Sequence, residues 1–247
     1  MNGWFITGTD TGVGKTRAAQ ALLVALAQAG HAAVGMKPIA SGAGSTPAGL
    51  RHADAEALRA VSGVAADYDD INPYCFAPAV APHLAAELAG IDIRPEKILE
   101  HFRRLQHRAA FVVVEGAGGW RVLLGPQLSM ADLARALGLP VVLVVGMRLG
   151  CLSHALLTVE AIRRDGLPLA GWIANRIEPD LALFERNVAA LETRIGQPPL
   201  AVFPHQSTGA VMTWPGAFSL EKMINITSPA HGAPAGSNPE INARLHE

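Results

Sequence analysis

Six short apolar runs punctuate the chain, at residues 4–7, 32–36, 111–115, 141–145, 170–175 and 200–203. Several are unbroken stretches of Val, Ile and Leu, the pattern of strands covered on both faces. Between and beyond them, apolar positions recur at helical spacing over residues 16–29, 54–61, 95–107, 130–137, 153–165 and 181–195. Alternation of this kind predicts an α/β fold: a doubly wound, mainly parallel sheet with helices on both faces. Ligands on such sheets bind beyond the carboxyl ends of the strands. Residues 72–82 are rich in Pro and Ala and read as a loop excursion near that end. From residue 227 onward the chain has little to bury, so a mobile tail over 227–247 is expected behind a single domain at 1–226.

The first predicted strand runs into Gly8-Thr-Asp-Thr-Gly-Val-Gly-Lys-Thr16, and a helix follows at once. A strand, a glycine-rich turn and a helix N-terminus aim backbone N–H groups and the helix dipole at one point, which attracts phosphate. Lys15 can reach terminal phosphates there, and the Thr16 hydroxyl can ligate Mg²⁺. The arrangement predicts a P-loop NTPase-like protein that binds a nucleoside triphosphate. Five residues separate Gly8 from Gly14, one more than the common motif allows.

Composition narrows the picture. The chain has 247 residues, 50% of them hydrophobic, enough for one sizeable core. Its net charge of -1 and pI near 6.8 exclude a broad basic field for nucleic acid or acidic lipid. No segment reads as a signal peptide, and no apolar stretch is long enough for a bilayer. Cys75 and Cys151 form no CxxC pair, and both are expected reduced in a cytoplasmic protein. Lysine is rare: Lys15, Lys37, Lys97 and Lys222 stand against sixteen arginines. Lys15 and Lys37 each follow a predicted strand, where a compact point charge suits a small phosphate or carboxylate site.

Other candidates gather at predicted strand ends. Pro38 keeps Lys37 out of the helical region, and Ser41-Gly42 follows. This lysine would face the phosphate held by Lys15; otherwise it is a solvated loop residue. Glu115 closes an apolar run and opens Glu-Gly-Ala-Gly-Gly, a position that suits a metal-side acid or an exposed turn. Asp54 taken alone reads as a helix N-terminal carboxylate on the dipole rather than a metal ligand. Asn175, followed by Arg176, can offer donor and acceptor to a purine edge, or can simply be a turn residue. The segment 149–153 opens a helix whose free N–H groups suit a carboxylate. Cys151 within it reads as packed rather than reactive. The nine histidines show no metal-ligand spacing.

Taken together, the motifs resemble the dethiobiotin synthetases, ATP-dependent carboxylating ligases of biotin synthesis. The matching pieces in the first half are Thr7-Gly-Thr-Asp-Thr-Gly-Val-Gly-Lys-Thr16, Lys37-Pro-Ile-Ala-Ser-Gly42, His52-Ala-Asp-Ala55, Asn72-Pro-Tyr-Cys-Phe76 and Pro82-His83. They continue with Val114-Glu-Gly-Ala-Gly-Gly-Trp120, Leu149-Gly-Cys151, His154-Ala-Leu-Leu-Thr158 and Ala170-Gly-Trp-Ile-Ala-Asn175. The order is collinear over most of the first 206 residues, and the long phosphate loop is itself a family trait.

The resemblance implies a reaction of 7,8-diaminopelargonate, CO₂ and ATP through a carbamate and a carbamic–phosphoric anhydride. It implies Mg²⁺ at Thr16, Asp54 and Glu115, with ATP at Gly12, Val13, Gly14, Lys15, Thr16 and Arg17. Further nucleotide contacts are implied at Asp54, Glu115, Gly116, Ala117 and Gly118, and at Asn175, Arg176, Pro204, His205 and Gln206. Lys37 and Lys15 would be catalytic, and Thr11 and Ser41 would orient the diamine. Gly150, Cys151 and Ser153, from the partner of a homodimer, would hold the substrate carboxylate. Ser153, Arg148 and Ala81 depart from the family's usual asparagine, lysine and serine. A dimeric partitioning or positioning ATPase is the competing reading, but Thr9-Asp10-Thr11 lacks the extra loop lysine of that class.

Overall fold

The computed structural model describes residues 2–206 together with Leu220 and Met223. The tail expected at residues 227–247 lies outside the described residues. In chain order the first elements are β1 (Gly3–Gly8), α1 (Lys15–Gln28), β2 (Ala33–Met36), β3 (Ile39–Ser41), β4 (Gly44–Thr46) and β5 (Gly49–Arg51). Then come α2 (Ala53–Val61), α3 (Tyr68–Ile71), β6 (Tyr74–Phe76), α4 (Pro82–Ala89), α5 (Pro95–Arg108) and β7 (Phe111–Gly119). The rest are α6 (Met130–Leu137), β8 (Val141–Met147), α7 (Cys151–Arg164), β9 (Leu169–Arg176), α8 (Phe184–Ile195) and β10 (Ala201–Phe203).

A parallel six-stranded sheet, ordered β10-β9-β8-β1-β7-β2, forms the centre. Alternate side chains divide between its faces, as strand geometry requires. Trp4, Ile6, Val113, Val142 and Val144 pack under α1 and α2. Phe5, Val112 and Val114 pack under α5 and α6, and Leu143, Val145 and Trp172 under α7 and α8. Both faces are therefore covered, which is why the central strands read as unbroken apolar runs. The connections that leave β1 and β7 go to opposite faces, so the carboxyl ends of these neighbours form the crevice where ligands bind.

Three differences from the sequence reading bear on the site. First, β7 does not stop at Glu115 but continues through Gly119, which pairs with Gly8 across an irregular register. Of the glycines that suggested a turn, Gly119 regains the pairing with β1, after the shift in register that follows Glu115. Second, α7 begins at Cys151 rather than at residue 153, because Gly150 takes a left-handed N-cap conformation with φ of 92°. Third, residues 72–82 are not all loop. Tyr74–Phe76 pairs in parallel with Ile39–Ser41, and Pro82 opens α4.

Candidate active site

The phosphate loop is shaped by its own residues. Gly14 caps α1 at φ 93°, and a Cβ there would lie 2.3 Å from Asn175 Nδ2, so only glycine fits. Asp10 Oδ1 accepts from the Thr11 N–H at 2.7 Å, and Asp10 Oδ2 pairs with Arg148 Nη2 at 2.7 Å. The Gly146 N–H donates to Thr9 Oγ1 at 3.3 Å. Lys15 Nζ folds back on the Asp10 carbonyl at 2.8 Å. Burial, reinforced by the charge of Lys37, lowers the Lys15 pKa to about 8.

Lys37 just after β2, Glu115 on β7, Asp54 on α2 and Thr16 on α1 meet at one point. Lys37 Nζ donates to Asp54 Oδ2 at 2.9 Å and to Glu115 Oε1 at 2.5 Å. Thr16 Oγ1 donates to the same Glu115 oxygen at 2.8 Å. Burial opposes the charge on Lys37, but the two carboxylates outweigh it and hold the ammonium above its ordinary pKa. Burial would raise Asp54, yet Lys37 keeps it below the usual carboxylate range. Lys37 is therefore not the solvated loop residue its spacing allowed, and Glu115 is 1% exposed rather than an open turn.

The donors at this point fit a small hard cation. Two carboxylates and a hydroxyl converge, all oxygen, as Mg²⁺ prefers when phosphates complete its shell. Glu115 Oε2 is buried without a hydrogen-bond partner, an acceptor left over by the lysine arrangement. Above the cluster opens a cavity of about 690 Å³. Its wall includes Thr11, Gly12, Gly14, Lys15, Thr16, Lys37, Ser41, Asp54, Glu115, Ala117 and Gly118. Residues 79–82, within the segment read as an excursion near the site, close one side of it.

Some predicted residues lie elsewhere. Gly150, Cys151 and Ser153 are not among those lining the cavity; Cys151 is buried and its thiol is raised by burial, while Ser153 is exposed. Leu149 beside them is 90% exposed. Asn175, expected at a purine edge, turns inward: Nδ2 donates to the Val13 carbonyl at 2.8 Å and Oδ1 accepts from Arg17 Nη1 at 3.2 Å. Arg17 also donates to the Pro204 carbonyl at 2.9 Å and lies over the Phe203 ring. Arg176 lies over Phe184 on the far side of β9, while Pro204 and His205 are exposed beyond β10. The ties from Arg17 and Arg148 were missed from sequence, because nothing in local spacing reports a partner more than a hundred residues away. His52, which caps α2 by accepting the Asp54 N–H, was missed because histidine is an uncommon cap.

Comparison with known proteins bears on the family and the fold. A family model described as an AAA domain matches residues 2–210. The ATP-dependent dethiobiotin synthetase of Aromatoleum aromaticum is 54% identical over 202 residues, 82% of this chain and 90% of the relative. That of Nitrosospira multiformis is 50% identical over 205 residues, 82% of this chain and 88% of the relative. Among solved structures, a ParA family ATPase from Chlorobium tepidum superposes with a TM-score of 0.52 at 15% identity, over 91% of this chain and 89% of its own. MinD of Aquifex aeolicus gives 0.51 at 16% identity, over 83% of each chain. At that identity the two structures share the fold and no more. With half or more of the aligned residues identical to synthetases across nearly the whole length of those relatives, the chain belongs to the ATP-dependent dethiobiotin synthetase family.

Proposed function

We propose that this enzyme closes the cyclic urea of dethiobiotin from 7,8-diaminopelargonate, CO₂ and Mg-ATP. The observation that carries the reading is the Lys37 ammonium between Glu115 and Asp54, at the base of a cavity walled by the phosphate loop and by the Thr11 and Ser41 side chains. One substrate amine captures CO₂ as a carbamate. A carbamate oxygen attacks the γ-phosphorus and ADP departs. The second amine then attacks the carbamoyl carbon, and phosphate leaves as the ring closes. Negative charge concentrates near the transferred group throughout, so fixed cations supply most of the protein's contribution. Lys15 and the loop N–H groups hold the β- and γ-phosphates, and Lys37 faces the carbamate and the transferred phosphoryl group. Thr11 and Ser41 orient the diamine, which places the second amine beside the anhydride. Thr16, Asp54 and Glu115 would hold Mg²⁺, which when bound offsets phosphate charge. A second copy of the chain, docked on the exposed Leu149 end of α7, would bring Gly150, Cys151 and Ser153 to the substrate carboxylate.

Incubation with Mg-ATP, bicarbonate and the diamine should give ADP and the cyclic urea in equal amounts by mass spectrometry. ADP release that ignores the diamine would sink this reading and favour a switch ATPase.

The lowered pKa of Lys15 adds a pH dependence. Bound phosphate favours the ammonium, so binding above pH 8 requires a proton that the free protein has partly lost. Affinity for ATP should be level below pH 8 and then fall by up to about tenfold per pH unit. Calorimetry at pH 9 in buffers of different ionisation enthalpy should register the proton uptake. An affinity unchanged from pH 7 to 9.5 would remove Lys15 from this role.

A further inference from the structure

Lys37 stands where ordinary strand pairing cannot fix it. β2 ends at Met36, just before Lys37, and Lys37 is followed by Pro38, which has no N–H to donate. Both backbone groups of Lys37 are taken instead by consecutive residues at the end of α3. The Lys37 N–H donates to the Ile71 carbonyl at 2.8 Å. Asn72 Nδ2 donates to the Lys37 carbonyl at 2.6 Å and to the Tyr74 carbonyl at 3.2 Å.

The amide of Asn72 is held in one orientation. Its nitrogen faces two carbonyls and its oxygen accepts from Tyr68 Oη at 3.1 Å, so a flipped amide would oppose acceptor to acceptor. Asn72 is 3% exposed and Tyr68 7%. The phenol hydroxyl also accepts from the His52 N–H at 2.8 Å. His52 Nδ1 in turn accepts from the Asp54 N–H at 3.1 Å. Burial pushes the Tyr68 pKa up to about 12, so the hydroxyl keeps the proton it donates to Asn72. The Arg51 guanidinium over the Tyr68 ring, 4.0 Å from its centroid, closes the outer side. A continuous run of hydrogen bonds thus joins the main chain of Lys37 to that of Asp54 by way of Asn72, Tyr68 and His52.

We infer that Asn72 and Tyr68 are positioning residues that fix the backbone of Lys37 relative to Asp54, and so aim the Lys37 ammonium. The inference rests on the reading of Lys37 as the cation that faces the terminal phosphoryl group. Neither Asn72 nor Tyr68 lines the cavity, so neither touches substrate. Buried polar partners of this kind hold a functional group to within the tolerance that its chemistry needs.

The test is an equilibrium measurement on the full chain in the presence of Mg²⁺. Affinities for ADP and for a non-hydrolysable ATP analogue give a preference for the terminal phosphate. Tyr68→Phe and Asn72→Asp should each lower that preference by about tenfold while ADP affinity is held. In a Lys37→Met background neither change should lower it further, because residues that act through Lys37 have nothing left to aim. Thermal melting identifies any variant that fails to fold, and Tyr68→Phe keeps the ring packing, so at least one arm is preserved. An unchanged preference in folded Tyr68→Phe overturns the inference. So does a loss of equal size with and without Lys37. A wild-type preference that Lys37→Met leaves intact overturns the reading of Lys37 first, and the positioning role with it.

Discussion

Lys37→Met should lower diamine-dependent turnover by about three orders of magnitude or more, which is about 4 kcal/mol of lost charge stabilisation. ADP affinity should change little, since the proposed reading assigns the β-phosphate to the loop and Lys15. The same substitution should affect the resting protein in the opposite sense for metal. Lys37 pairs with both Glu115 and Asp54 from within the fold. Without it, a carboxylate that is 1% exposed is left uncompensated, which costs about 3 kcal/mol in metal-free buffer. Mg²⁺ no longer competes with an ammonium, so it should bind the variant more tightly in the absence of nucleotide and recover much of the lost melting temperature. Melting curves with and without Mg²⁺, set beside steady-state turnover, check both halves. Full turnover in Lys37→Met would end the proposed role.

Glu115→Gln should be nearly as damaging by a different route. The amide keeps an acceptor for Thr16 but loses the charge that Lys37 and a cation share. Turnover should fall by about a hundredfold or more, and Mg²⁺ should no longer raise the melting temperature. Lys37 is then buried with Asp54 as its remaining carboxylate partner, and the loss of one partner of a buried pair destabilises the fold by about 3 kcal/mol. The double variant Lys37→Met with Glu115→Gln removes both charges. Its melting temperature should lie above that of either single variant, because the two costs share one origin. Additive losses would show that Lys37 and Glu115 act on stability independently.

The architecture was legible because its physics is local. Runs such as Val112-Val113-Val114 and Val141 to Val145 are continuous where both sheet faces are covered, and the glycine loop with Lys15 and Thr16 announces its place between strand and helix. The missed elements depend on distant pairing. Ile39 and Tyr74 pair across the three-residue strands β3 and β6, too short to show a period, and Gly119 extends β7 only because Gly8 lies beside it. The same division runs through the site. Lys37 and Glu115 stood out as polar residues beside apolar runs. Asp54 looked like an ordinary helix-start acid until the β3–β5 excursion returned it to Lys37 at 2.9 Å. The resemblance pointed to Arg17 and to the Asn72 motif, but not to what they hold, since each acts on a partner that only the fold supplies.

The inward turn of Asn175 has a consequence for base recognition. Its amide already spends one N–H on the Val13 carbonyl and its oxygen on Arg17, and the residue is 5% exposed, so a nucleobase that engages it has to draw it out of at least one of these bonds. What that asparagine contributes to affinity is then a balance of exchange, the new hydrogen bonds less the old. Two bases that both replace what they displace are nearly indistinguishable to it.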